Sequence, residues 1–438
     1  MKKFVYLLLL LALVACKPKT TQQTATFQLP EVDDVVMYQV NPRVFAPSQS
    51  LKAVTARIDS IAALGVNVMW VMPIYPIGEE KTKNSPYSIK DYKAVAPEFG
   101  TVDDLRQLID TCHSRGIALI LDWVANHTAW DNPWVAQHPD WYTRDSLGNI
   151  IYPPGTDWTD VADLNYDNSE MRKAMVDAMK FWVTEVGVDG FRCDVADAVP
   201  ADFWQAAIDT LRAVAKPKRL LMLAEGNSPE NFTAGFDMNY AWDFKNAVIE
   251  VFTKGAPATQ LVECDKKEYE KIPAGKVKLR FTTNHDESTK STPAGQFGPR
   301  GQMAAFVATT FLHGGALIYG SQEVAYPESI NFFKYVPVDW MANPDIYREH
   351  QQLLAIYNAE SGLRHGEPSS FATPDVLLFS KGSGVYVVAV NVRDREVDVE
   401  LPEVLRNRER INLLDSTQID TAGKIHLTPY QYLILKNK

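Results

Sequence analysis

The stretch VDGFRCDVADAVPADFWQAAIDTLRAVAKPKRLLMLAE, residues 188–225, decides the fold. It opens on a short β-rich run at 188–194, passes through an amphipathic segment at 202–214, and closes on a second apolar run at 220–225. Strand, helix and strand in so short a span is the unit from which parallel sheets are built. Both runs end on a carboxylate, Asp194 and Glu225. The end of an apolar run is a costly place to leave an unpaired charge.

Outward from this unit the same alternation continues in both directions. Strand candidates lie at 35–40, 67–72, 117–122, 188–194, 220–225, 235–238, 278–283 and 316–319, and helical segments at 51–64, 102–115, 169–186, 202–214 and 302–312. Eight strands with helices between most of them predict a (β/α)8 TIM barrel. No Gly-rich phosphate loop follows any of these strands, which argues against an open dinucleotide-binding sheet.

The alternation breaks twice. Residues 128–162 carry Trp130, Trp134, Trp141 and Trp158 together with Pro133, Pro139, Pro153 and Pro154, without helical periodicity. This predicts a short inserted subdomain after strand 3, whose tryptophans are expected to serve packing before ligand stacking. Beyond 367 the helices stop, and β segments at 376–379, 384–392, 396–401, 411–414 and 431–435 predict a C-terminal all-β sandwich domain. The expected organisation is a catalytic barrel at 31–366 containing the insertion, followed by the β domain at 367–438.

The 438 residues are 46% hydrophobic and 22% charged, which excludes a disordered or fibrous chain. Forty-four basic against 54 acidic side chains give a net charge of −10, with no basic tract after residue 20, so a nucleic-acid partner is disfavoured. At the start, Met1-Lys2-Lys3 precedes an apolar run at 4–15 that is too short to span a bilayer but suits a signal peptide. Leu13-Val14-Ala15-Cys16 resembles a bacterial lipobox, which implies a signal peptide at 1–15, lipidation of Cys16 and a polar tether at 16–30. The expected location is therefore extracytoplasmic, lipid-anchored to a bacterial membrane and facing the periplasm or the cell surface. Cys112, Cys193 and Cys264 are widely spaced and odd in number, so they indicate neither a disulfide framework nor a zinc site.

Active sites of such barrels lie where the strands end. Here the third strand runs into Asp122-Trp-Val-Ala-Asn126-His127, the fourth into Arg192-Cys-Asp194, the fifth into Glu225 and the seventh into Phe281-Thr-Thr-Asn284-His285-Asp286. Asp194, Glu225 and Asp286 are thus expected at one mouth. Arg192 and Asp194 are two apart on a strand and share a face, so the guanidinium is expected to keep Asp194 ionised, while apolar walls raise the pKa of a second carboxyl. One ionised and one protonated carboxyl side by side is the requirement of glycoside hydrolysis. A single Asp at a strand end is more often a helix cap, but the set is harder to dismiss.

At these residues the sequence resembles the alpha-amylase family of glycoside hydrolases. Asp122–His127, Gly190–Asp194, Glu225 and Phe281–Asp286 are similar to four family motifs in order and spacing. Pro86-Tyr87-Ser-Ile-Lys-Asp91-Tyr92 and Asp163-Leu164-Asn165 match two supporting signatures. The resemblance implies Asp194 as nucleophile, Glu225 as general acid/base and Asp286 as the carboxylate that holds substrate hydroxyls. It implies Arg192 as the residue that orients Asp194, His127 and His285 as hydrogen-bond donors to the sugar, Tyr87 as its stacking platform, and Asp122 as a structural support.

Two departures stand out. The Lys-His often found after the nucleophile is Asp197-Ala198, and the aromatic often found two after the acid is Asn227. No cofactor is required by the resemblance. Ca²⁺ is an option at Asn126 and Asp163, whose oxygens suit that ion, but the His carbonyl that often completes the site belongs here to Ala198, and no metal is assigned. The expected function is a retaining α-glucan hydrolase acting on maltodextrin or starch fragments through a glycosyl-enzyme intermediate. The alternatives are a glucanotransferase with the same triad and a non-catalytic surface glucan-binding protein.

Overall fold

Eight parallel strands close on themselves in sequence order: β1 (Val36–Val40), β2 (Val68–Val71), β3 (Ala118–Trp123), β4 (Gly190–Cys193), β5 (Leu221–Ala224), β6 (Met238–Tyr240), β7 (Val277–Arg280) and β8 (Gly315–Tyr319), with β8 pairing back onto β1. The computed structural model describes residues 27–438; the expected signal segment, Cys16 and the tether up to residue 26 lie outside the described residues. Every residue of the eight strands is buried, as expected when a parallel sheet has side chains packed inside and helices outside. The two faces separate by parity. Met37, Val68, Trp70, Ala118, Ile120, Leu221, Leu223, Tyr240 and Leu279 fill the barrel interior, while Val36, Tyr38, Met69, Leu119 and Leu121 meet the helical layer.

Parity also brings the polar residues together. The register pairs Asp122 with Arg192 and Arg192 with Leu223, so the side chains at 122 and 192 point inward, and 194 and 225 continue the same faces past the strand ends. Gly190 makes this pairing possible. At φ 151° a Cβ there would lie 1.8 Å from the Leu221 carbonyl oxygen, so only glycine lets β4 approach β5 so closely.

The helices follow local signals where these exist. Thr101 caps the helix Val102–Ser114 with a reciprocal Thr101–Asp104 box. The expected helix at 51–64 is instead two, Ser50–Thr55 and Ile58–Ala63. The helix expected at 302–312 begins earlier, at Pro293, with a kink at Gly298-Pro299. Strand β6 starts at the last residue of its expected span, because Gly235 turns at φ 105° and only Met238–Tyr240 reach a pairing register. Between β6 and β7 the chain also forms two helices, Trp242–Thr253 and Thr259–Tyr269, that periodicity did not separate.

The insertion has more structure than its composition suggested. It begins and ends on a two-stranded pair, His127–Ala129 with Val161–Asp163, and includes a short helix, Pro133–Gln137. Trp134 packs between Tyr92 and Trp141, and Trp130 donates to the Thr159 carbonyl, so packing claims three of the four tryptophans. In the C-terminal region a six-stranded antiparallel sheet faces a two-stranded ribbon, Val397–Glu400 with Lys424–Leu427. One face of that sheet (Val376, Leu378, Val387, Ala389, Leu433) packs on the ribbon, and the other (Leu377, Phe379, Val388, Val390, Ile434) packs on the barrel's helical layer. At the opposite end of the described chain, Phe27 stacks on His113 and Pro30 accepts from Arg219. The last residues of the expected tether are therefore docked. No helix among the described residues is long and apolar enough to cross a membrane.

Buried imidazoles give the fold a pH dependence. Burial lowers His350 and His127 to about 4 and His285 to about 3. In the unfolded chain each takes up a proton near pH 6.5, so below that pH the unfolded state binds more protons and stability falls as the pH drops toward 4. Asp122, raised by burial to about 6 against the pull of Arg192, offsets part of this between about pH 4 and 6. His350, on the helix Pro344–Ala359, donates from Nδ1 to the Ile346 carbonyl while Nε2 has no partner. Substitution H350L is expected to remove about 3 kcal/mol of the acid-side loss, measured as denaturation midpoints between pH 4 and 7.

Candidate active site

Arg192 is fully buried at the top of the barrel core and organises the carboxylates around it. Its Nη1 donates to Asp122 Oδ1 at 2.7 Å and to Asp194 Oδ1 at 2.9 Å. Nη2 lies 2.8 Å from Glu225 Oε2, a charge contact without hydrogen-bond alignment, and Nε donates to the Tyr240 hydroxyl at 3.2 Å. The guanidinium carbon sits 4.9 Å from the Trp70 ring centroid. One cation therefore serves three acids.

That sharing alters the expectation for Asp194. Burial, joined by the charges of Glu225 and Asp122, pushes its carboxyl well above the usual carboxylate range, with Arg192 opposing. A single guanidinium cannot neutralise three desolvated acids, so the cluster favours holding a proton. A hydrolytic pair needs such a state, with one carboxyl protonated and the other ionised.

Glu225 is held from a second direction. The backbone N–H of Val195 donates to Glu225 Oε2 at 2.8 Å, and the Ala196 N–H donates to the Glu225 carbonyl. To aim that N–H, Val195 adopts φ 35° and ψ 47°, a left-handed conformation that costs a β-branched residue of order 1–3 kcal/mol. The chain thus turns sharply between the two carboxylates.

A hydrogen-bonded relay runs across the site from Asp122. Asp122 Oδ2 accepts from Trp70 Nε1 at 3.0 Å and from the Tyr87 hydroxyl at 3.1 Å. Tyr87 has then spent its proton, so in its 2.7 Å contact with His285 Nε2 the imidazole is the donor. His285 Nδ1 in turn accepts from Gln39 Nε2 at 2.8 Å. The Tyr87 and His285 rings stack with centroids 5.3 Å apart. Asp286 Oδ1 lies 3.4 Å from His285 Nε2, and 42% of the Asp286 side chain is exposed toward the cleft.

The cleft above these groups has a volume of about 380 Å³ and is lined by Tyr87, His127, Trp158, Phe332 and Phe333 together with Asp194, Glu225 and Asp286. Trp158 meets His127 edge to face, so it is the one insertion tryptophan that faces the cleft. All seven residues expected at the site meet here: Tyr87, His127, Arg192, Asp194, Glu225, His285 and Asp286. Trp70, Gln39 and Tyr240 were not singled out from the sequence. Each sits at an inward-parity position near a strand end, and that signal would have marked them.

The two metal candidates are neighbours but do not make a calcium site by themselves. Strand pairing sets His127 opposite Asp163, Leu164 donates to the Asn126 carbonyl, and Asn126 Nδ2 lies 3.3 Å from His127 Nδ1. Among the described residues no group of three or more His, Cys, Asp or Glu side chains is arranged to hold a metal ion, whereas Ca²⁺ takes about six to eight oxygens. At the departures from the family motifs, Asp197 accepts from the Asn227 N–H at 3.1 Å and from Asn231 Nδ2 at 2.9 Å. Asp197 is thus tied to the turn that follows Glu225.

Comparison with known proteins bears on the family and the fold. A family model described as the alpha amylase catalytic domain matches residues 39–147 and 155–361. A probable oligo-1,6-glucosidase of Bacillus subtilis is 31% identical over 224 residues, 42% of this chain and 39% of that protein. The alpha-amylase MalA of Haloarcula japonica is 29% identical over 308 residues, 66% of this chain and 44% of that protein. The matched part of the chain thus spans about two fifths of these relatives' length. The crystal structure of a maltogenic alpha-amylase from Thermotoga neapolitana superposes with a TM-score of 0.83 at 26% identity, covering 93% of this chain and 99% of that one.

Proposed function

The chain belongs to the alpha-amylase family of glycoside hydrolases, and from that premise we propose that it is a retaining α-glucan hydrolase acting on maltodextrin or starch fragments. The observation that carries this reading is the pairing of Asp194 and Glu225 on adjacent nitrogens of one buried guanidinium. A pair clamped in this way is close-set, and carboxyls about 5 Å apart suit direct attack on the sugar, whereas a wider pair leaves room for an intervening water.

In this mechanism Asp194 attacks C1 of the bound sugar while Glu225 gives its proton to the departing glycosidic oxygen. The C1–O bond breaks as the bond from C1 to the Asp194 carboxylate forms. Glu225, now ionised, takes a proton from water, which displaces Asp194 from C1 and restores the anomeric configuration. Tyr87 offers its ring face to the sugar, and His285, neutral at working pH, holds the Tyr87 hydroxyl with its one N–H without adding charge. Asp286 faces the sugar hydroxyls from the lip of the cleft.

Incubation with maltoheptaose tests the reading. Shorter oligosaccharides released as the α anomer, followed by NMR before mutarotation, are the expected result. Release of the β anomer would overturn the retaining mechanism, longer oligosaccharides would turn the assignment to transfer, and binding without turnover would turn it to a glucan-binding protein.

A further inference from the structure

The turn that carries Tyr87 continues into a segment tied to both walls of the cleft. Lys83 and Ser85 line the cleft itself. Lys83 Nζ donates to the Asp157 carbonyl at 3.1 Å and lies 3.4 Å from Asp160 Oδ1, which joins the segment to the insertion beside Trp158. On the other side Asn84 Nδ2 donates to the Phe333 carbonyl, which joins it to the loop that follows β8.

A buried base holds the tie in place. Arg43 is 5% exposed, donates from Nη1 to the carbonyls of Asn84 at 2.8 Å and Phe332 at 3.1 Å, and is engaged on its other edge by Glu98. Its Nη2 also reaches Asn84 Oδ1 at 3.3 Å. Asn84 sits at φ 60°, a conformation that Asn accepts readily. Ser85 Oγ accepts from the Tyr87 N–H at 3.2 Å, so this segment and the sugar platform are one turn.

We propose that residues 82–85 form a fixed bar across the cleft beyond Tyr87, so that the enzyme removes short units from the non-reducing ends of glucan chains and does not cut within them. This rests on the roles given above to Asp194, Glu225 and Tyr87. Glu225, which gives its proton to the departing oxygen, marks the leaving-group side, so the sugar over Tyr87 presents its non-reducing end toward Lys83, Asn84 and Phe333. A longer donor would have to pass between the insertion and the loop after β8, where the Lys83 and Asn84 contacts already span the gap. The cleft volume of about 380 Å³ fits a short oligosaccharide, at the small end of ordinary ligand pockets.

The test compares maltoheptaose with the same oligosaccharide blocked at O4 and O6 of its non-reducing glucose by an ethylidene group. Wild-type enzyme is expected to cleave the blocked form at least about tenfold more slowly, and the double variant K83A N84A to raise the blocked-to-free ratio by about tenfold. Lys83 is 44% exposed and its ion pair is worth little to stability, while alanine at the φ 60° of Asn84 costs about 1–2 kcal/mol, so a melting temperature lowered by no more than a few degrees is the control for folding. Equal cleavage of both substrates by the wild type would overturn the bar while leaving the hydrolase reading intact. Cleavage of neither would overturn both, and a folded variant that still excludes the blocked substrate would remove Lys83 and Asn84 from the assignment.

Discussion

Substitution D194N is expected to lower kcat/KM on maltoheptaose by more than about 10⁴-fold while leaving the protein as stable as the wild type or more so. The catalytic loss follows because an amide is a poor nucleophile toward C1, so the covalent route closes, and general acid assistance alone contributes about 10²–10⁴-fold. The stability result follows from the cluster itself. Asp194 is pushed upward by burial and by Glu225 and Asp122, so a neutral isostere relieves repulsion while its oxygen can still accept from Arg192. Substitution E225Q separates the two roles. It is expected to cost about 10²–10⁴-fold on maltoheptaose. The glycosylation step should recover with α-maltosyl fluoride, whose leaving group needs no proton, while deglycosylation, deprived of its base, stays slow, so a glycosyl adduct on Asp194 should accumulate and be visible by mass spectrometry. If D194N retains activity near that of the wild type, the nucleophile is elsewhere.

Removal of Arg192 should act in the opposite sense, on stability first. Substitution R192L leaves Asp122 and Asp194 buried without their cation, and breaking a buried ion pair from one side costs about 3–5 kcal/mol. The denaturant midpoint at pH 7 is expected to fall accordingly. The pH dependence gives a second check. Without the guanidinium the folded-state pKa values of these acids rise farther above their unfolded values, so the folded protein takes up protons over a pH range where the unfolded chain does not. The deficit of R192L should therefore be largest at neutral pH and shrink as the pH falls toward 4. A deficit that does not change with pH would mean that lost packing on Trp70 and Tyr240, and not charge, is the cause.

The barrel was legible because its strands are buried on both faces and read as continuous apolar runs, with carboxylates breaking them at one end. Asp194 and Glu225 could be assigned to the mouth from that pattern alone. Elements carried by weaker signals were not separated. Strand β6 has only three residues, and the helix Trp242–Thr253 lacks a capping side chain and contains Val, Ile and Phe, which suit strands as readily. The ribbon strand Lys424–Leu427 alternates exposed and buried over only four residues. At the site, the sequence indicated that Arg192 faces Asp194. That the same guanidinium also serves Asp122 and Glu225 depends on the register between β3, β4 and β5. Lys83 and Asn84 had no signal of their own, since their partners, the carbonyls at 157 and 333, Asp160 and Arg43, are brought to them only by tertiary structure.

The pairing of β1 with β8 has a consequence for how the chain must be built. Val36 finds its partner at Ala316, so the first strand to be synthesised waits for nearly two thirds of the chain before its second edge is covered. The part of the helical layer that the C-terminal sheet covers waits longer, because that sheet is made last. Closure of so long a loop is slow, and unpaired apolar edges invite association with other chains in the meantime. The folding yield of this protein should therefore be governed by what shields β1 during synthesis more than by the stability of the finished barrel.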